Sequence, residues 1–166
     1  TNALHWATAG TLNAGLEAGL GKRTSLELTG DYNPWTLDRD ENRKLKFWSV
    51  MPEFRYWLCE RFNGHFFGVH GLGGEYNIAK VKLPFGLAKD GKDYRYDGSY
   101  VGGGVSYGYQ WMLARKWSLE ATVGVGYVRF NYDKYPCYDC GQRLESGNKN
   151  YFGPTKVGIN LIFVIN

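Results

Sequence analysis

The feature that most constrains this chain is a strict two-residue alternation, repeated in segment after segment and broken at regular intervals. In 12–20, Leu and Ala occupy one face and Asn, Gly and Glu the other. In 26–32 the same division recurs. Trp48, Val50, Phe54, Tyr56 and Leu58 alternate with Ser49, Met51, Glu53, Arg55 and Trp57. Val101, Val105, Tyr107, Tyr109 and Trp111 alternate with Gly102, Gly104, Ser106, Gly108 and Gln110. Trp117 to Tyr127 and Val157 to Ile165 close the series. The run His65 to Ile78 is extended, but glycines on both faces leave its phase open. With Ala3 to Thr8 as a first short strand, the expectation is eight strands.

Two regularities choose among β architectures. Short turns are expected near 21–24, 60–64 and 113–116, and long polar connections near 33–46, 79–97 and 131–150. That alternation suits a transmembrane barrel with short periplasmic turns and long outer loops. The polar face is Gly, Ser, Thr and Asn with a few charges, which suits the crowded interior of a small barrel rather than a wetted surface. The apolar face would then meet lipid, with aromatic residues such as Tyr32, Trp48, Trp111 and Trp117 near the strand ends. Spanning lipid demands closure, because an open edge leaves backbone groups unpaired in hydrocarbon. The reading is an all-β, eight-stranded antiparallel up-and-down transmembrane β-barrel, one domain over 1–166, with both termini periplasmic. Pro52 fits a central strand badly, since it cannot donate to a ladder, and a local bulge is expected there.

Composition agrees by exclusion. Among 166 residues are 23 Gly, 13 Tyr, 9 Phe and 6 Trp, too many aromatics for disorder and too much glycine for extensive helix. No stretch approaches the ~18 apolar residues of a membrane-spanning helix. The net charge of +4 comes from interspersed charges and points to no nucleic acid. The opening residues lack a basic, then apolar, leader pattern, so a mature start is expected.

Several segments together resemble a family of small outer-membrane β-barrels from Bacteroidota of unknown function. They are Gly19-Leu20-Gly21-Lys22-Arg23, Tyr32-Asn33-Pro34-Trp35, Pro52 to Cys59, Gly64-His65-Phe66-Phe67-Gly68, Tyr135-Pro136-Cys137 with Cys140-Gly141, and Asn150 to Lys156. The resemblance implies an outer-membrane location in a Gram-negative bacterium and a barrel similar to that of OmpA-like proteins. It implies no activity.

Candidate sites are few. Cys137 and Cys140 form a C-x-x-C pair framed as a loop tip, and Cys59 is left over. A loop disulfide is the favoured reading, with a metal site or free thiols as alternatives; zinc would need two further ligands that no motif supplies. His5, His65 and His70 lack a nucleophile motif, so no catalytic residue, metal or cofactor is assigned. The most informative constellation is charged. Glu17, Glu27, Glu53, Arg55, Glu120 and Lys156 share the inward face, joined by Asp31 and, if the phase allows, Glu75. Buried charges need partners, so a charge-paired plug filling the lumen is expected, with Arg55 at its centre. Acidic groups outnumber basic ones, and Arg95 and Arg129 are candidate extra cations.

The expected function is a non-enzymatic structural or accessory subunit of an outer-membrane protein assembly, with lipid bilayer, lipopolysaccharide and other outer-membrane proteins as partners. Trp35, Phe85, Tyr94, Tyr96, Tyr135 and Tyr138, expected in the outer loops, are the candidate partner contacts. Two alternatives are weighed against it. A soluble calycin-like barrel would turn its apolar face inward. A lipid-modifying enzyme would need His65 or His70 beside a serine such as Ser99 or Ser106.

Overall fold

A computed structural model describes residues 1–7, 10–34, 36–38, 43–79, 94–136 and 145–165. After a short helix α1 (Ala3–Ala7) come strands β1 (Leu12–Gly19), β2 (Thr24–Asn33), β3 (Thr36–Asp38), β4 (Arg43–Trp57), β5 (Gly64–Ala79), β6 (Tyr94–Ala114), β7 (Trp117–Pro136) and β8 (Glu145–Phe163). They form one antiparallel sheet with the order β1-β2-β4-β5-β6-β7-β8, and β3 pairs only with β4. Every neighbour along that path is the next long strand in sequence. The described connections from β1 to β2, β4 to β5 and β6 to β7 are short hairpin turns, as turn residues between period-two segments dictate. At 60–64 the turn holds Phe62 at φ 65° and Gly64 at φ 82°; the left-handed region is costly for Phe62 and free for Gly64.

The sheet curls until its last strand lies near its first: Lys156 of β8 contacts Glu27 of β2, and Arg55 of β4 contacts Glu120 of β7. No ladder joins β8 to β1, however, so the sheet is not closed into a barrel. Seven strands, not eight, form the path, because Ala3 to Thr8 does not supply the first one. Asn2 donates its backbone N–H to Asn13 Oδ1 at 2.7 Å, which fixes Asn2 and Asn13 at one level. A strand over Ala3 to Thr8 would carry the chain ~20 Å away from that level. The five steps back from Thr8 to Asn13 reach at most ~18 Å even when fully extended. A five-residue helix advances only ~8 Å, and Gly10, at φ 63°, takes a left-handed conformation open to glycine.

Three further expectations change. The strands run well beyond the apolar alternation, so Tyr94 and Tyr96 belong to β6 and Tyr135 to β7 rather than to loops. Trp35, Phe85 and Tyr138 lie outside the described residues. Pro52 causes no bulge. The β4–β5 pairing passes from Val50↔Gly73 to Glu53↔His70 in unchanged register, with only the proline's missing donor to accommodate. Register shifts lie elsewhere, between Thr36 and Asp38, between Met112 and Ala114, and within β8, where Gly124↔Lys156 is followed by Val125↔Pro154 and Thr155 is the extra residue.

The burial pattern is inverted. Among the described residues the buried hydrophobics are Trp57, Phe66, Leu72 and Val128, while thirty-one large hydrophobic side chains are exposed. The outward face is therefore apolar, as the alternation requires, and the enclosed face is polar. A calycin-like arrangement, apolar inside, is excluded by that distribution.

Candidate functional site

The enclosed face is organised around Arg55. Period two places Glu53, Arg55 and Trp57 of β4 on the inner face, and all three are buried. The Arg55 guanidinium donates from Nε to Glu53 Oε1 at 2.7 Å, from Nη1 to Glu17 Oε2 at 3.0 Å and to Glu120 Oε2 at 2.8 Å. Nη2 donates to Glu27 Oε2 at 2.6 Å and Glu120 Oε1 at 3.2 Å. All five guanidinium donors are thereby used. Lys156 Nζ donates to Glu53 Oε2 at 2.7 Å and Glu27 Oε2 at 3.0 Å. The structure thus brings together Glu17, Glu27, Glu53, Arg55, Glu120 and Lys156 from five strands.

Four carboxylates face two cations. Neutral donors meet the remaining acceptor capacity. Ser25 Oγ donates to Glu17 Oε1, and Thr122 Oγ1 and Asn160 Nδ2 both donate to Glu120 Oε1. Arg129 is on the exposed face and does not join; the Arg95 side chain lies outside the described residues. Glu75 is exposed and accepts from Trp48 Nε1 at 3.1 Å, which settles the phase of β5 with His70 and Leu72 inward.

An aromatic floor lies on the short-turn side of this layer. The rings of Trp57 and Phe66 are 4.8 Å apart, Phe62 meets Trp57 edge-on at 6.0 Å, and the Arg55 guanidinium carbon is 4.5 Å from the Phe66 centroid. Such stacking adds cation–π attraction to the ion pairs. Trp57 Nε1 donates to Ser25 Oγ, tying floor to network. Gly68 is required here: a Cβ on it would lie 2.3 Å from Ser106 Oγ and 2.9 Å from the Glu53 carboxyl carbon.

A second cluster, which the sequence reading missed as a unit, surrounds Asp31. Its Oδ1 accepts from Asn13 Nδ2 at 2.5 Å and meets His5 Nδ1 at 2.6 Å, while Oδ2 accepts from Ser49 Oγ at 2.7 Å. The helical phase of α1 puts His5 inward. A cavity of about 70 Å³ beside it is lined by Asn2, Asn13, Thr29, Thr155 and Lys156, among others.

The three histidines have separate partners, His5 meeting Asp31 as above. His65 Nδ1 meets Tyr107 Oη at 2.6 Å on the outer face. His70 Nε2 pairs with Thr155 Oγ1 at 2.9 Å, not with Ser99 or Ser106. Its Nδ1 is 3.9 Å from Glu53 Oε2, an oxygen already held by Lys156 at 2.7 Å. That separation is longer than the ~3.2 Å of an orienting hydrogen bond. No group of three or more His, Cys, Asp or Glu residues suited to a metal ion occurs among the described residues. Cys59 is exposed and free; Cys137 and Cys140 lie outside the described residues.

A family model matches residues 1–165, nearly the whole chain. The chain belongs to the DUF3575 family, described as proteins of unknown function. No curated protein and no solved structure matches it. Membership in DUF3575 supplies neither a reaction nor a ligand, so the chemistry of the enclosed face is what informs a functional reading.

Proposed function

We propose that this DUF3575 protein is an outer-membrane β-barrel whose interior is a solid plug, and that it serves as a non-enzymatic structural or accessory subunit of an outer-membrane protein assembly. The observation that carries the reading is the inverted burial: Arg55, Glu53, Glu120 and Gln110 inside, Leu, Val, Ile and aromatic side chains outside. Hydrocarbon is the solvent in which that distribution is stable. Water would leave an apolar belt exposed on each of the seven strands of the path, far larger than a soluble monomer tolerates.

Around Arg55 the described interior is filled by paired side chains, and the cavity beside Asp31 is only about 70 Å³. Arg55 with all donors engaged, above an aromatic floor, is a stopper rather than a filter. The accessible surfaces are then the lipid-facing wall, in contact with bilayer and lipopolysaccharide, and the long-connection end, where other outer-membrane proteins would dock. The test is to express the protein in a Gram-negative host, fractionate the envelope and solubilise it in mild detergent. The expected result is recovery with the outer membrane, faster gel migration when unboiled, and no steady conductance in planar bilayers. Recovery as a detergent-free soluble monomer would overturn the membrane reading, and a steady ion current would overturn the plug.

A further inference from the structure

The gap between β1 and β8 has the dimensions and polarity of one missing strand. Six antiparallel steps separate β1 from β8 along the sheet; an even number makes the two run in the same direction. They cannot close on each other in the up-and-down pattern of the rest of the wall. A single strand antiparallel to both can.

Thr1 and Asn2 already occupy that lane. Thr1 exchanges two backbone hydrogen bonds with Leu161, N to O at 2.9 Å and O from N at 2.8 Å, and Asn2 bridges Asn160 in antiparallel sense. The Asn2 side chain continues along β8, accepting from Ile159 N and donating to Val157 O. On the other flank Thr1 Oγ1 donates to Asn13 O and Asn2 N donates to Asn13 Oδ1. Here the gap is one strand wide and is bridged on both sides.

Towards the short-turn end the same lane holds no described residue. Leu20 N donates to Thr24 O, so even-numbered residues of β1 point their backbone groups at β2 and odd-numbered ones at the lane. The lane-facing groups of Gly15, Glu17 and Gly19 have no partner among the described residues, nor do those of Phe163 on β8. The wall side chains agree: Leu16 of β1 is 78% exposed against 53% for Leu28, its partner on β2.

We propose that an extended segment joined to the amino side of Thr1 is the eighth strand, entering at the short-turn end and running between β1 and β8 into Thr1. The direction of Thr1–Asn2 requires this: stepping back from Thr1 moves along the lane towards Phe163 and Gly19 without a loop. The residue directly before Thr1 then faces Ile162 inward, and the one before that lies beside Phe163 on the lipid face. The proposal rests on the barrel reading only for the necessity of closure, since the lane geometry holds whatever the solvent.

The test extends the 166-residue chain at its amino end by six residues, either strand-forming (alternating Val and Thr) or interrupted by two prolines. Backbone exchange is read at Gly15, Glu17, Gly19 and Phe163. Slowing by ten-fold or more with the first extension and not the second supports the proposal; equal rates overturn it. Equal protection by the same six residues added as a free peptide also overturns it, and assigns the lane to a partner's strand. A second measurement places a cysteine directly before Thr1. Facing pairs that do not exchange hydrogen bonds lie ~4.5 Å apart at Cα, within disulfide reach. That cysteine should oxidise with Ile162→Cys and not with Val123→Cys; failure of the first pair overturns the register. Both readouts work in detergent and do not depend on envelope fractionation, so a soluble protein with a filled lane would refute the membrane reading alone.

Discussion

Arg55 and Glu120 stand on β4 and β7, three strands apart in the sheet, and are joined across the interior by two hydrogen bonds, Nη1 to Oε2 at 2.8 Å and Nη2 to Oε1 at 3.2 Å. A fork of this kind fixes both distance and orientation between the two walls. Its cost in desolvation is recovered only because every other donor on Arg55 also finds a carboxylate.

Replacing Arg55 with Met should therefore destabilise the protein by ~3–5 kcal/mol at neutral pH, the usual cost of breaking a buried pair from one side. Glu17, Glu27, Glu53 and Glu120 would keep only Lys156 and neutral donors. Acid would protonate these unpaired carboxylates and remove their repulsion, so the variant should regain part of its stability as pH falls from 7 towards 5. The parent should not gain over that interval. Melting curves of both proteins at the two pH values decide it.

The exposed apolar wall, which the proposed function sets against lipid, predicts a different sensitivity. Val123 is exposed on β7 between the similarly exposed Tyr107 and Val157 of the neighbouring strands. Val123→Arg should cost ~2–4 kcal/mol if that position lies near the bilayer midplane. Urea unfolding in lipid vesicles measures it. A loss below half a kcal/mol would mean that the wall does not meet hydrocarbon.

Gly68 makes a steric prediction that can be rescued. A methyl group there collides with Ser106 Oγ at 2.3 Å, so Gly68→Ala should cost ~1–3 kcal/mol by overpacking. Adding Ser106→Gly removes the nearest obstacle and should restore part of the loss. Additive losses in the double variant would show that the Glu53 carboxyl, not the hydroxyl, is the limiting contact.

The cysteines are tested by alkylation. Cys59 is exposed and free, so it should label in the native protein. If Cys137 and Cys140 are joined, denaturation without reductant should add no further label. Three labels per chain would reject the disulfide.

The two faces of the sheet were legible because strand periodicity is local: Glu53, Arg55 and Trp57 had to share a side, which put a cation next to an acid on the inner face. Long-range closure was not. Ala3 to Thr8 reads as a short strand by its residue types, yet Ala3–Ala7 is helical, and the Asn2–Asn13 contact leaves too little chain for an extended path through to Thr8. The reach of the strands past the apolar zone was hidden for another reason. Beyond it β5 to β8 carry Asp, Asn, Lys and Gly, which a sequence reader assigns to loops although a paired ladder tolerates them. The Asp31 cluster drew on His5 of α1 and so inherited the same error. Pro52 misled in the opposite sense: its missing donor interrupts the pairing without displacing a residue, while the displaced residue is Thr155.

The full engagement of Arg55 has a consequence for how the chain finds its structure. A slip of one residue between any two of these strands would turn an entire inner set outward. In a wall of near-equivalent Val, Leu and Tyr, apolar contacts discriminate poorly between such arrangements. Misplacing β4 by one residue would send Arg55 into the apolar surroundings and bring Phe54 or Tyr56 among the carboxylates. The guanidinium thus acts as an error check on assembly: slipping β4 carries Arg55 and Glu53 together into the apolar surroundings and leaves Glu17, Glu27 and Glu120 with Lys156 as their one remaining cation, and only one alignment of five strands satisfies them all.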